Sequence, residues 1–342
     1  MKSFKFKAIV IILLSVISLQ ESFSQGSGNK YAGEFLSIGV GGRAKGMGGA
    51  YVALVNDVTS GYWNPGSLAK INYPQFSLMH DAQFGNLINY DYGSVGIPFG
   101  TNASLGLSLI RMGIDDISDT RNALIDLNGN GILDPGERLD PDKITKFSTS
   151  DYAVYVTYSK KQSEKFSYGA NLKIIRRNIA EEGAWGLGFD VGARYNPFGS
   201  FFLGANLQDL TTTYLSWSTG KKEVISPTAK IGTAYQIEFL KGILTPALDF
   251  DVRFENRKSS ANANLGPVSF DMHAGLEYSF KDMISIRTGY NELGNLTLGA
   301  GVKFPKITID YSFSKFDGLE ELGNSHVLSL IFTLEEDKFQ RK

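Results

Sequence analysis

From about Gln75 to its end the chain is cut into segments of roughly ten residues in which apolar and polar side chains alternate. A period of two places successive side chains on opposite faces of a pleated strand. Val268, Phe270, Met272, Ala274, Leu276, Tyr278 and Phe280 line one face, and Ser269, Asp271, His273, Gly275, Glu277 and Ser279 line the other. Ile307, Ile309, Tyr311 and Phe313 oppose Thr308, Asp310, Ser312 and Ser314 in the same way, and Leu296 to Phe304 repeats the pattern. One face suits lipid and the other suits water. The pattern predicts an all-β, antiparallel transmembrane barrel with its polar face turned into the lumen.

About fourteen such segments can be placed, an even number, as in single-chain bacterial barrels. They begin near Gln75, Asn89, Asn102, Asp151, Lys165, Ala184, Ser200, Pro227, Ile243, Val268, Ile284, Asn295, Lys306 and His326. Their connections sort by parity. Pro98–Thr101, Lys161–Glu164, Asn196–Gly199, Glu238–Gly242, Lys281–Met283 and Pro305 are short and read as periplasmic turns. The long ones, Gly113–Ser150, Leu210–Ser226, Glu255–Pro267 and Phe316–Ser325, all fall at the other, extracellular end, with two short links near Phe84 and Glu292. A large soluble β-sandwich also alternates, but its apolar face turns inward and it rarely keeps such long strands through so many hairpins. In the barrel, Asp190, Arg194, Asp249, Asp251, Arg253, Asp271, Glu277, Arg287, Lys303 and Asp310 point into the lumen, where opposite signs can pair.

The first residues fit export. Lys2, Lys5 and Lys7 precede an apolar run from Ala8 to Leu19, shorter than the roughly 20 residues of a membrane-spanning helix, with small residues at Ser22 and Ser24. This divides the chain into a cleaved signal peptide (1–24), an N-terminal segment (25–73), the barrel (74–335) and a charged periplasmic tail (336–342). There is no cysteine, so no lipid-anchored N-terminus, disulfide or thiolate site. Thirty-eight glycines, 23 phenylalanines and 16 tyrosines against 10 prolines suit many strands with aromatic girdles. A formal net charge of -1 with scattered lysines and arginines gives no footprint for nucleic acid.

The segment Gly39–Ala69, GVGGRAKGMGGAYVALVNDVTSGYWNPGSLA, does not alternate and is too glycine-rich for a plain helix. Arg43, Ala44, Gly46, Met47, Gly48, Gly49, Ala50, Asp57, Tyr62, Asn64, Pro65 and Leu68 resemble the N-terminal signature of the PorV/PorQ family of outer-membrane proteins, itself similar to the FadL family of long-chain fatty acid transporters. The resemblance implies a fourteen-stranded barrel with this segment folded inside as a plug. Glycines permit the close backbone approach a lumen demands, and Asn64-Pro65 turns the chain toward the first strand. Arg43 and Asp57 would pair with lumen charges and lock the plug, or these residues only fill the interior. The last strand, Val327–Leu334, does not end on an aromatic residue; Phe332 stands just inside it.

Two functions follow from the resemblance. A PorV/PorQ-like barrel would act in type IX secretion or surface attachment of cargo, with protein partners; Trp217, Tyr214 and Leu215 would then offer apolar contacts or sit in the aromatic girdle. A FadL-like barrel would admit hydrophobic small molecules through an apolar pocket near the plug and a lateral opening; the charged inward faces argue against it. Either would sit among outer-membrane lipids. No enzymatic constellation emerges: His80, His273 and His326 are dispersed, and His273 reads as lumen-filling. The longest loop contains DLNGNGILDPGE, with Asp126, Asn128, Asn130, Asp134 and Glu137 at positions 1, 3, 5, 9 and 12 of a calcium loop and Ile132 offering its carbonyl at position 7. A polar turn without metal is the alternative.

Overall fold

The computed structural model describes residues 32–255, 257, 260–315 and 324–341; the expected signal peptide and most of the Phe316–Ser325 connection lie outside them. Fourteen strands form the wall: β1 Gln75–Gln83, β2 Ile88–Phe99, β3 Ala103–Asp119, β4 Thr145–Lys161, β5 Phe166–Ile179, β6 Glu182–Phe198, β7 Phe201–Gln208, β8 Thr228–Tyr235, β9 Gly242–Arg253, β10 Val268–Phe280, β11 Ile284–Tyr290, β12 Leu296–Lys303, β13 Ile307–Ser314 and β14 Ser325–Thr333. Each pairs antiparallel with its neighbour, and β14 closes the cylinder on β1 through Phe76↔Phe332 and His80↔Leu328. Closure satisfies backbone groups that an open edge would leave bare in lipid.

The faces follow the alternation. Leu276, Leu298, Tyr311 and Leu328 are exposed on the outside, whereas Asp271, Thr297, Asp310 and Ser329 are buried within. A one-residue slip would exchange the two sets, so the register is fixed by lipid outside and polar partners inside.

Two expected loops are corrected. Within Gly113–Ser150, β3 and β4 continue as a paired ribbon to Asp119↔Thr145, with a register shift at Asp115–Asp116, and a small hairpin pairs Leu124–Ile125 with Arg138–Leu139. Within Leu210–Ser226, Thr213–Trp217 and Lys222–Ile225 form a hairpin whose first arm pairs with Ala184–Leu187 of β6. Beyond the lipid both faces of a strand meet water, so the period-of-two signal fades while the pairing continues.

Candidate functional site

The lumen is filled by residues 32–73, folded as two short helices, α1 (Gly42–Gly46) and α2 (Ser60–Trp63), linked by turns and followed by a 3-10 turn at Pro65–Lys70. The plug backbone lies directly on inward-facing wall glycines. A Cβ at Gly204 would collide with the Val52 carbonyl, one at Gly275 with the Met47 carbonyl and one at Gly289 with Met47 and Gly48. The plug glycines answer in kind: a Cβ on Gly42 would meet the Asp310 carbonyl oxygen at 2.7 Å.

Wall side chains then bond to the plug backbone around the circumference. Ser329 Oγ accepts from Gly42 N at 2.8 Å, and Thr297 donates to the Gly46 carbonyl at 3.1 Å. Asp249 Oδ2 accepts from both Tyr51 N and Val52 N at 2.7 Å. Asn206 donates to the Trp63 carbonyl at 3.0 Å and Asn171 to the Gly61 carbonyl at 2.7 Å. Asn64 uses its side chain three times, capping Gly66 N and donating to the Val52 carbonyl of the plug and the Ala193 carbonyl of β6, which accounts for Asn64-Pro65 in the plug.

The expected lumen charges are buried, and most gather on one side, with the exception of Lys303, which stands half-exposed at the rim and pairs with Asp282 of the neighbouring turn. Arg43 grips Glu277 through two bonds of 2.9 and 2.8 Å; Glu277 also takes Arg287 at 2.6 Å, and Arg287 reaches Asp310 at 2.7 Å. Asp251 pairs with Lys230 and lies 3.5 Å from His273, whose Nδ1 is 2.9 Å from the Gly48 carbonyl. Arg253 and Arg257 share Asp271. Asp190 holds Lys173 at 3.3 Å, and Arg194 donates to the Val55 carbonyl. Asp57, expected to meet a wall charge, instead accepts from Thr59 N at 2.8 Å and from the Tyr51 hydroxyl at 3.0 Å, stabilising a turn within the plug.

The opposite side differs from the charged inward faces that argued in the sequence against an apolar pocket near the plug. Met79, Tyr90, Tyr92, Ile110, Tyr155 and Ile175 of β1–β5 are buried inward in one cluster with Phe35, Val40, Tyr62 and Trp63 of the plug. The rings meet edge to face: Tyr62 with Trp63 at 5.0 Å and with Tyr155 at 6.3 Å. The Tyr62 hydroxyl donates to the Leu36 carbonyl at 2.6 Å and accepts from Gly39 N at 3.1 Å. Strands with inward charge stood out in the sequence; these aromatic positions sat among serines and glycines and gave no comparable contrast.

This seam is closed. A cavity of about 40 Å³ lies at the end that carries the long connections, against Leu36, Tyr155, Lys173 and Ile225, room for little more than a solvent molecule. A cavity of about 430 Å³ lies at the end of the short turns, but Arg43, Asp57, Glu277, Arg287 and Lys303 line it. The wall is interrupted beside the upper cavity: Asp209–Thr212 steps out of register between β7 and the hairpin, with positive φ at both ends (53° and 57°). Lys173 seals the break from inside by pairing with Asp190 and Asp209. Tyr214, Leu215 and Trp217 do not form one contact face, because Tyr214 points outward, Leu215 is fully buried and Trp217 lies beside Arg177.

In the calcium-like loop, Asp126 accepts from the amides of Gly129 and Gly131 at 2.6 and 2.8 Å, and Glu137 from those of Leu127 and Asp134. The Asn128 and Asn130 side-chain nitrogens both donate to Asp134 at 2.7 Å. The Gly131 amide holds the Asp126 carboxyl below its ordinary value, and Asn128 does the same for Asp134. Ile132 is exposed. As arranged, nitrogens and not oxygens face Asp134, and among the described residues no three acidic or histidine side chains converge on a metal-sized space.

No protein-family model and no curated protein matches this sequence. Solved structures do. The toluene transporter TodX of P. putida superposes with a TM-score of 0.63 at 12% identity, over 87% of this chain and 99% of that one. The Ralstonia pickettii toluene transporter TbuX gives 0.57 at 13%, over 86% and 98%. A Pseudomonas aeruginosa FadL homologue gives 0.56 at 14%, over 85% and 97%. At such identities the likeness shows the fold alone: a FadL-like β-barrel.

Proposed function

We propose that the chain is an outer-membrane transporter that passes small hydrophobic molecules inward along the seam between the plug and β1–β5. The observation that carries this reading is the buried apolar and aromatic cluster that joins Phe35, Leu36, Tyr62 and Trp63 of the plug with Met79, Tyr90, Ile110 and Tyr155 of the wall. It lies in a lumen whose other side is ion-paired. Apolar contacts are non-directional and can part and re-form around an apolar guest, whereas the paired charges cannot release one another without solvation. The solved relatives named as toluene transporters support the reading by fold. The secretion reading rests on the resemblance of Gly39–Ala69 alone, and no matched structure favours it. Export by the N-terminal signal and residence in the outer membrane belong to this same proposal.

The test is uptake of a radiolabelled monoaromatic hydrocarbon and, separately, a long-chain fatty acid by cells expressing the chain in place of their own transporters. Uptake of either, reduced about tenfold or more by Ile110→Asp, which sets a charge in the seam, supports transport. No uptake of either, with secretion subunits purified stoichiometrically with the barrel, supports the secretion reading instead.

A further inference from the structure

A second site lies on the outside of the wall, where charge is costly. Charged side chains on the lipid face of a barrel destabilise it by an amount that grows with depth, yet His80 of β1, Asp91 of β2 and Arg111 of β3 stand on that face, next to one another in register. His80 Nδ1 is 2.7 Å from Asp91 Oδ1, and Arg111 donates to Asp91 Oδ2 at 3.1 Å. Their side chains are 57, 40 and 34% exposed. The register continues outward-facing through Tyr152 of β4, Arg176 of β5 and Trp185 of β6.

This row is the upper border of the apolar belt. On its periplasmic side the outward residues are Phe76 and Leu78, Val95 and Ile97, Leu107 and Leu109, and Leu187 and Phe189, all exposed. On its extracellular side they are Ala82, Asn89, Gly113, Ser150, Asn178 and Gly183. Both arginines extend toward the extracellular side. A Cβ on Gly113 would meet Arg111 Nη2 at 2.7 Å, and one on Gly183 would meet Arg176 Nη2 at 2.6 Å, so each guanidinium lies over a glycine that leaves it room. Arg176 also stacks on Trp185, its Cζ 4.9 Å from the ring centroid. Among the described residues no carboxylate pairs with Arg176, and Asp91 alone serves both His80 and Arg111.

Long cationic side chains at a membrane border reach for the headgroup layer, and a guanidinium with open donors is suited to bind phosphate oxygens in pairs. We propose that this row is a binding site for a phosphate-bearing lipid of the outer leaflet, held by Arg111 and Arg176 with His80 as a third donor. The two arginines lie two strands apart, roughly 10 Å, which suits a glycolipid carrying two phosphates. Trp185 and Tyr152 bracket the acyl border between them, as interfacial aromatic residues do. The inference depends on outer-membrane residence but not on what the lumen carries.

The test is native mass spectrometry of the detergent-purified barrel after exchange into nanodiscs of phosphatidylcholine alone or doped with diphosphorylated lipid A. Wild type is expected to retain lipid A, and Arg111→Gln with Arg176→Gln to lose about tenfold in retention for each guanidinium removed. Lys281→Gln, which removes a cation stacked on Phe280 at the periplasmic rim, should leave retention unchanged. Gly183→Leu keeps the Arg176 charge but fills its resting place, and should lower retention as Arg176→Gln does. Heat-modifiable gel migration verifies that each variant is folded. Equal retention by wild type and the double variant, equal binding of phosphatidylcholine, or a second protein copy in place of lipid would overturn the site.

Discussion

The two sides of the lumen hold the same plug by different physics. On the side of β8–β13 the contacts are directional: Glu277 is shared by Arg43 and Arg287, Asp249 receives two plug amides, and His273 meets the Gly48 carbonyl. On the side of β1–β5 ring edges and aliphatic surface make up the middle of the contact, with polar ties at Asn171 to the Gly61 carbonyl, Arg177 to the Ala32 carbonyl and Lys45 to Asp81. Separating the first set strands charges at low dielectric, whereas separating the second costs in proportion to area and is offset by any apolar guest that enters. The charged side therefore fixes the plug, and the aromatic side is where the proposed passage would run.

The largest effect should come from the anchored side. Glu277→Ala leaves Arg43 and Arg287 without their shared carboxylate and should cost about 3–5 kcal/mol in urea unfolding from micelles. It should also raise single-channel conductance as the plug loosens. Next, Gly289→Ala drives a methyl into Met47 and Gly48 and should cost about 1–3 kcal/mol, while Gly93→Ala, whose Cβ meets only Leu78 at 3.7 Å and the Ser77 carbonyl, should be silent in the same titration. Two tyrosines sharpen the contrast within the seam. Tyr62→Phe strands the Leu36 carbonyl and the Gly39 amide and should cost about 1–3 kcal/mol; Tyr90, whose buried hydroxyl has no partner among the described residues, should tolerate Phe within about 0.5 kcal/mol. The smallest effect belongs to the loop far from both sides. Calcium binding there requires both Asn carboxamides to turn their oxygens inward, so calorimetry should show affinity of about 10⁻⁴–10⁻³ M at best, abolished by Asp126→Ala.

The wall was legible because lipid imposes a strict period. Segments read from Gln75, Val268 and Ile284 begin at those residues in the structure, and most others begin within a residue or two. Asp151 was read six residues late, since Thr145–Ser150 of β4 lies beyond the lipid where no apolar face is demanded. Arg43 meeting Glu277 could be anticipated as a charge in the plug opposite charges in the wall, but not its partner, because plug contacts span 234 positions of sequence. The aromatic seam was hidden for another reason. Tyr90, Tyr92 and Tyr155 occupy the polar phase of their strands, and only the plug packed behind them shows that this phase faces apolar matter.

Transport by this barrel requires the seam to be the path. Photo-crosslinking of the reconstituted barrel with a diazirine-bearing fatty acid, followed by peptide mapping, tests it most directly. Lipid-facing residues will label in any case, so inward positions decide. Label is expected on Leu36, Tyr62, Ile110 and Tyr155, displaced by excess unlabelled hydrocarbon. Label confined to the outer face, or inward label on the β9–β11 side near Asp249 and Arg287, would contradict it.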